Sequence, residues 1–209
     1  MGFATVYLKI YNFLMFLVWG SLLIHVLSYA NPYAFTNPLI FQHTALANGL
    51  LWMDFIHSIL RISRTDPVPC FLQTLSRSWC VSVMAIDGQS WWEAWTVIAW
   101  CIAEMIRDIN YIHTNSILTW LRYSAFIVLY PGGVFGEWMN VWDKWPAISA
   151  CCPRIYSIAL PNALNFSFDF AWSIIGFWLP AYAVGFPFLY SHMLKLRSIK
   201  LSSDKSKQE

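Results

Sequence analysis

The chain has 209 residues, 58% of them hydrophobic and only 11% charged, with 13 Trp and a formal net charge of +2. A soluble domain carries about 25% charged residues, and a chain this short cannot bury so much apolar surface in one core and keep a wettable exterior. A lipid bilayer is the expected solvent, and the near-neutral balance excludes a nucleic-acid binder, which needs a basic face.

Taken in chain order, the apolar run after Lys9 continues past Leu27 without a small-residue cleavage site, so it reads as a retained first span and not as a removed signal. A spanning helix needs about 20 mostly apolar residues. No charge occurs between Lys9 and Asp54, yet Asn31-Pro32 and Asn37-Pro38 interrupt the run with turn chemistry. This divides it into a first span over 10–30 and a second over 41–60. A third runs from Val68 to Ile86, closed by Asp87-Gly88. The fourth begins at Trp91-Trp92 and reaches Tyr111, the fifth covers Ile117 to Phe135, and the last runs from Phe168 to Met193. The expected fold is an all-α membrane protein, a bundle of about six transmembrane helices over residues 1–195 with a tail over 196–209. Between Gly136 and Ser167 a longer connection holds Asp143, Lys144, Pro146, Pro153, Arg154 and Pro161. Its Trp138, Trp142 and Trp145 suit the membrane interface, where indole sits at headgroup level.

Lys195, Arg197, Lys200, Lys205 and Lys207 in the tail fall on the same side as Lys9, Arg61 and Arg64 if there are six spans. The positive-inside rule makes that side, with both termini, cytosolic. The sequon Asn165-Phe166-Ser167 is then lumenal, but it abuts the last span and is expected to go unused. Lys205 and Lys207 stand five and three residues from the end, which resembles a dilysine retrieval address for the endoplasmic reticulum. A merely solvated charged tail is the alternative.

Cys70, Cys80, Cys101, Cys151 and Cys152 have no metal-type spacing, and their odd number argues against a full disulfide framework. They suit small apolar fillers. The Cys-x5-Arg loop of a tyrosine phosphatase is absent, since Arg77 follows Cys70 by seven residues. No metal or redox cofactor is indicated.

Asp54, Arg77, Glu104, Arg107, Asp108, Arg122 and Glu137 lie in or near the spans. Each costs at least ~2.5–3.5 kcal/mol at a span centre unless it is met inside the bundle. Glu104 and Arg107, spaced i,i+3, can pair on one helix face and fix packing. Gln73 and Arg77 stand one turn apart on the third span, and Asp54 and His57 are similarly spaced on the second. These four can face one polar cavity entered from the cytosolic end, where Arg61 and Arg64 sit; His57 by itself suits a hydrogen-bonded packing role. A mouth lined with Arg61, Arg64 and Arg77 suits a phosphate-bearing substrate such as an acyl-CoA.

The fifth span is the most informative: Arg122-Tyr123-Ser124-Ala125-Phe126-Ile127-Val128-Leu129-Tyr130-Pro131-Gly132-Gly133-Val134-Phe135-Gly136-Glu137. Tyr130 and Glu137, seven residues apart, share a face of any helix but stand about 10 Å apart along its axis. Pro131-Gly132-Gly133 argues against a regular helix and lets another helix or an acyl chain approach the backbone. Local features leave two readings open, a kinked helix with an interfacial Tyr and a terminal Glu, or a site.

These residues together resemble the 3-hydroxyacyl-CoA dehydratase family of fatty-acid elongation, also called protein tyrosine phosphatase-like A proteins. The resemblance spans nearly the whole chain: Tyr7-Leu8, Tyr11-Asn12 and Trp19; His57, Arg64, Gln73 and Ser76-Arg77; Trp100, Glu104, Arg107 and Tyr111; Leu121-Arg122-Tyr123, Leu129-Tyr130-Pro131, Gly133 and Glu137; then Phe186-Pro187, Tyr190, His192-Met193 and Arg197. By this resemblance the catalytic pair falls on Tyr130 and Glu137. Supporting or substrate-binding roles fall on Asp54, Arg64, Gln73, Arg77, Arg122 and Gly133. Asp54 stands where the family usually has Glu, Arg61 replaces a common Gly, and Asp108 a common Tyr.

The implied activity is that of a hydro-lyase, a very-long-chain (3R)-3-hydroxyacyl-CoA dehydratase. It gives trans-2-enoyl-CoA in the third step of the elongation cycle in the endoplasmic-reticulum membrane. The implied partners are the lipid bilayer, the condensing enzyme, the 3-ketoacyl-CoA reductase and the enoyl-CoA reductase, with no cofactor. Free Tyr titrates near pH ~10 and free Glu near ~4.3, so Glu137 as base and Tyr130 as acid is the simple order; the environment leaves the reverse order open. Two rival classes stand beside it. One is a catalytically silent scaffold of the elongation complex, suggested by Asp54 and Asp108. The other is a small transporter, whose inverted internal symmetry the sequence does not display.

Overall fold

The computed structural model describes residues 2–29, 37–150 and 154–205, with side chains up to Leu201. The Asn31-Pro32 break, Cys151, Cys152 and the side chains of Lys205 and Lys207 lie outside the described residues. Among those described there is no strand, and the elements group into six helical rods. The first is α1 (Phe3–Ser28). The second is α2 (Pro38–Leu50) followed after Leu51 by α3 (Trp52–Ile59), and the third and fourth are α4 (Pro67–Met84) and α5 (Trp92–Ile112). The fifth is α6 (Ser116–Ser149). The sixth joins α7 (Phe170–Ser173), a π-helical turn (Ile174–Trp178) and α8 (Leu179–Lys205).

The helix starts follow local chemistry. Asn37 and Asp66 each accept a hydrogen bond from the backbone two residues on, with a proline in the first turn, an arrangement that satisfies otherwise orphaned N–H groups. Asn115 caps α6 through the Leu118 N–H at 2.8 Å, and Asp169 caps α7. Gly88, at φ +124°, turns the chain between α4 and α5 in a backbone region that only glycine occupies cheaply.

The sequence places the end of the fifth span at Phe135 and a surface connection beyond it. The structure instead continues α6 through Pro131-Gly132-Gly133 to Ser149, 34 residues in all. A proline in a helix interior strips a hydrogen bond from the carbonyl four residues earlier, here that of Ile127. The hydroxyl of Tyr190 donates to that carbonyl at 3.4 Å, and Trp95 Nε1 donates to the carbonyl of Gly132 at 3.1 Å. Neighbouring helices thus re-satisfy the backbone that the Pro-Gly-Gly segment exposes. Of the three tryptophans assigned to the interface, only Trp142 is largely exposed; Trp138 and Trp145 pack against the core.

α5 is the central element, packed chiefly against α1 and α6. Trp19 and Leu22 of α1, Trp79 and Cys80 of α4, Val97 and Cys101 of α5, and Val141 and Ile148 of α6 form one buried cluster. Cys70, Cys80 and Cys101 are buried free thiols, as expected of apolar fillers. At one end of the bundle Lys144 Nζ pairs with Glu93 at 2.7 Å and donates to the carbonyls of Met84 and Ile86. That single ammonium ties α6, α5 and the end of α4 together.

Among the described residues two helices, Phe3–Ser28 and Phe170–Leu201, are long and apolar enough to cross a membrane. Hardly any of the second is buried inside the bundle. Phe3, Ile117, Val128, Trp142, Leu164 and Val184 are each exposed by more than 70%, a surface that water would not tolerate across a whole fold.

Candidate active site

The buried charges gather around Glu104. Its Oε1 accepts from Arg77 Nη1 at 2.6 Å and from Gln73 Nε2 at 3.3 Å, while Oε2 meets Arg107 Nη2 at 3.0 Å. Arg107 also reaches Asp54 at 2.7 Å and Asp108 at 3.3 Å. Asp54, Gln73 and Arg77, expected to share a polar cavity, therefore do share a cluster, joined by the Glu104–Arg107 pair. His57 stands outside it, buried, with its Nε2 at 2.9 Å from the Tyr7 hydroxyl and its ring edge-on to Tyr7 and Tyr11. That is the hydrogen-bonded packing role its sequence context suggests.

Arg77 is withdrawn from the mouth where the sequence reading puts it. Its guanidinium is buried against Glu104 and lies over the rings of Trp19 and Trp100, at 5.9 and 5.3 Å. A guanidinium so held gains cation–π attraction as well as its ion pair. Arg61 and Arg64 are exposed in the link after α3 and take no part in the cluster. Arg122 is directed towards α5, where it donates to Asn110 Oδ1 at 3.2 Å and to the Tyr111 hydroxyl at 2.8 Å.

Tyr130 and Glu137 stand on one unbroken helix. Two turns of α6 separate them by about 10 Å along the axis, and Gly133 lies between them on the same side. Gly133 is buried, yet a Cβ built on it would meet no atom within 4 Å. The helix therefore leaves open room between the phenol and the carboxylate. Gly136, one turn along, behaves oppositely: its Cβ would stand 2.5 Å from Thr96 Oγ1 and 2.9 Å from Trp95, so this glycine allows α5 and α6 to touch.

Glu137 is buried, and both its oxygens are engaged by neutral donors. Trp100 Nε1 donates to Oε1 at 3.1 Å, and the Tyr182 hydroxyl donates to Oε2 at 2.7 Å. Tyr130 stacks on Phe186 at 5.2 Å and on Tyr190 at 6.3 Å, both from α8. Between these contacts, Val134, Trp138, Leu179, Tyr182, Ala183 and Phe186 line an apolar cleft of about 220 Å³ along the seam of α6 and α8.

Sequence reasoning missed Tyr182 and gave Trp100 no role at Glu137. A signal for Tyr182 was present: Trp178, Tyr182, Phe186 and Tyr190 recur every fourth residue, which lines one side of a helix. Each of the four meets an aromatic ring of α4 or α6. Among the described residues no cluster of His, Cys, Asp and Glu suited to a metal ion is present.

Residues 49–203 match the family model described as protein tyrosine phosphatase-like protein, PTPLA. The chain is 35% identical to a mouse (Mus musculus) protein named very-long-chain (3R)-3-hydroxyacyl-CoA dehydratase 2, an alignment covering 95% of this chain and 82% of the relative. It is 34% identical to the human (Homo sapiens) protein of that name over the same shares. An Arabidopsis thaliana relative, named very-long-chain (3R)-3-hydroxyacyl-CoA dehydratase PASTICCINO 2, is 32% identical over 98% of this chain and 96% of its own length. No solved structure matches the chain.

Proposed function

The chain belongs to the protein tyrosine phosphatase-like family, and from that membership we propose that it is a very-long-chain (3R)-3-hydroxyacyl-CoA dehydratase with Tyr130 and Glu137 as its acid–base pair. The observation that carries the site assignment is the face of α6 on which Tyr130, Gly133 and Glu137 follow one another, with open space at the glycine. Dehydration needs one group to take the C2 proton, which the thioester acidifies, and another to protonate the hydroxyl leaving C3. As the C2–H bond breaks its electron pair forms the C2–C3 double bond, and the C3–O bond cleaves to release water. Groups about 10 Å apart on one helix cannot bond each other, but they can flank a substrate seated over Gly133, as positioned acid–base catalysis requires.

Glu137 is the base in this reading and Tyr130 the acid. The phenol of Tyr130 is held by ring stacking alone, so its hydroxyl is available to the substrate, while the carboxylate is fixed by two donors. The cleft beside them receives the start of the acyl chain. Gln73, Arg77, Arg122 and Asp54 support the site at a distance by fixing α4, α5 and α6 to one another and α3 to α5. Arg64, exposed beside Arg61, is placed to attract the phosphates of the CoA moiety. No cofactor takes part.

We place the enzyme in the endoplasmic-reticulum membrane as six spans with both ends cytosolic, the lysines near the end serving as its retrieval address. The condensing enzyme and the two reductases of the cycle would then be its neighbours. The decisive measurement is turnover of 3-hydroxyacyl-CoA of several chain lengths by purified protein. Tyr130→Phe and Glu137→Gln should each lower kcat at least ~100-fold, within the range a positioned acid or base contributes, without unfolding the protein. Near-normal turnover by either variant would overturn its assignment.

A further inference from the structure

We infer that Tyr182 is a positioning residue for Glu137: its hydroxyl, together with the indole of Trp100, aims the carboxylate at the substrate. This rests on the acid–base reading above. A carboxylate offers about four lone-pair sites on two oxygens. Trp100 Nε1 occupies one on Oε1 at 3.1 Å and the Tyr182 hydroxyl one on Oε2 at 2.7 Å. The two donors come from different helices, α5 and α8, so the carboxylate is clamped between them and its torsional freedom is lost. Donors on both oxygens leave the carboxylate one orientation, with its remaining lone pairs free for a proton of the substrate.

Tyr182 is itself tightly placed. Its ring stands edge-on to Trp138 at 5.4 Å and lies 6.2 Å from Trp79, which in turn stacks on Trp178 at 4.7 Å. The aromatic contacts set the ring, and the ring sets the hydroxyl. Tyr182 also lines the cleft in which the acyl chain begins. It thus joins the wall that seats the substrate to the group that removes its proton. A reacting group displaced by a fraction of an ångström from its productive geometry loses much of its rate, which is why such an arrangement is more than packing.

The inference is tested with Tyr182→Phe, which keeps the ring and its stacking and deletes only the donor. The expected result is a kcat lowered about tenfold to a hundredfold, less than the loss of the base itself, with KM unchanged and a thermal midpoint lowered by the lost hydrogen bond to a buried carboxylate. The primary isotope effect on substrate deuterated at C2 should rise as proton abstraction becomes slower relative to later steps. Wild-type kcat and an unaltered isotope effect in the variant would overturn it. So would a loss as deep as that of Glu137→Gln in a protein whose Tyr130→Phe variant remains active, because Tyr182 would then be the acid. Absence of dehydratase activity in the wild-type protein would refute the underlying reading instead, and the two failures are told apart by that control.

Discussion

At the scale of single residues, the charges gathered between α3, α4 and α5 centre on one carboxylate. Glu104 meets Arg77, Arg107 and Gln73 at once, whereas the ion pair of Asp54 is with Arg107 and its side chain keeps about a fifth of its exposure. Removing one partner of a buried pair costs about 3–5 kcal/mol because a charge is left uncompensated. Glu104→Gln should therefore destabilise the protein by that amount, and Asp54→Asn by clearly less, read as thermal midpoints in detergent; equal losses would contradict the central place given to Glu104. Asp54, for all its short side chain, closes to 2.7 Å on Arg107. The Glu104–Arg107 pair was legible from its i,i+3 spacing, since that contact is local. The contacts of Arg77 with Glu104 and of Glu137 with Trp100 and Tyr182 were not, because each joins residues from different helices whose rotation the sequence does not specify.

At the scale of elements, α6 carries the reacting face, and its glycines differ in what they do. Gly136 stands where α5 comes closest, and Gly133 stands over open room. An added methyl at Gly136 forces Thr96 and Trp95 apart, an overpacking cost of about 1–3 kcal/mol. At Gly133 a methyl meets nothing and gains up to about 1 kcal/mol of helix propensity, but it occupies the gap between Tyr130 and Glu137. Gly136→Ala should lower the thermal midpoint, whereas Gly133→Ala should keep or raise it while lowering turnover at least tenfold. A Gly133→Ala enzyme of full activity would remove substrate from that gap. Pro131 gives a third case. Tyr190→Phe leaves the Ile127 carbonyl without its donor, at a cost of about 1–3 kcal/mol, visible as a lowered thermal midpoint with the stack on Tyr130 retained. The sequence argued for a break at Pro131-Gly132-Gly133 because it displays the defect in the helix and not the side chains from α5 and α8 that repair it.

At the scale of the whole molecule, six spans are expected, and of the six helical rods among the described residues two pass as membrane helices on apolarity and length. The others carry the charges, and the fold accounts for their polarity: Arg77, Glu104 and Arg107 close upon one another, and Glu93 closes on Lys144. A helix whose polar side chains are met by other helices can face lipid with its remaining apolar side. Phe170–Leu201 is the clearest candidate to face lipid, since one side packs on α4 and α6 while few of its residues are fully buried in the bundle. In the proposed topology the cationic residues of the tail and of the link after α3 lie on the cytosolic side. This arrangement predicts that the protein stays with membranes through alkaline extraction. It also predicts that protease added to intact microsomes removes a tag appended after Glu209 but spares one inserted beside Asn162, in the connection before α7. Protection of the first tag or loss of the second without detergent would reverse the topology, placing Arg61 and Arg64 on the side away from cytosolic acyl-CoA, where they have no phosphate to meet.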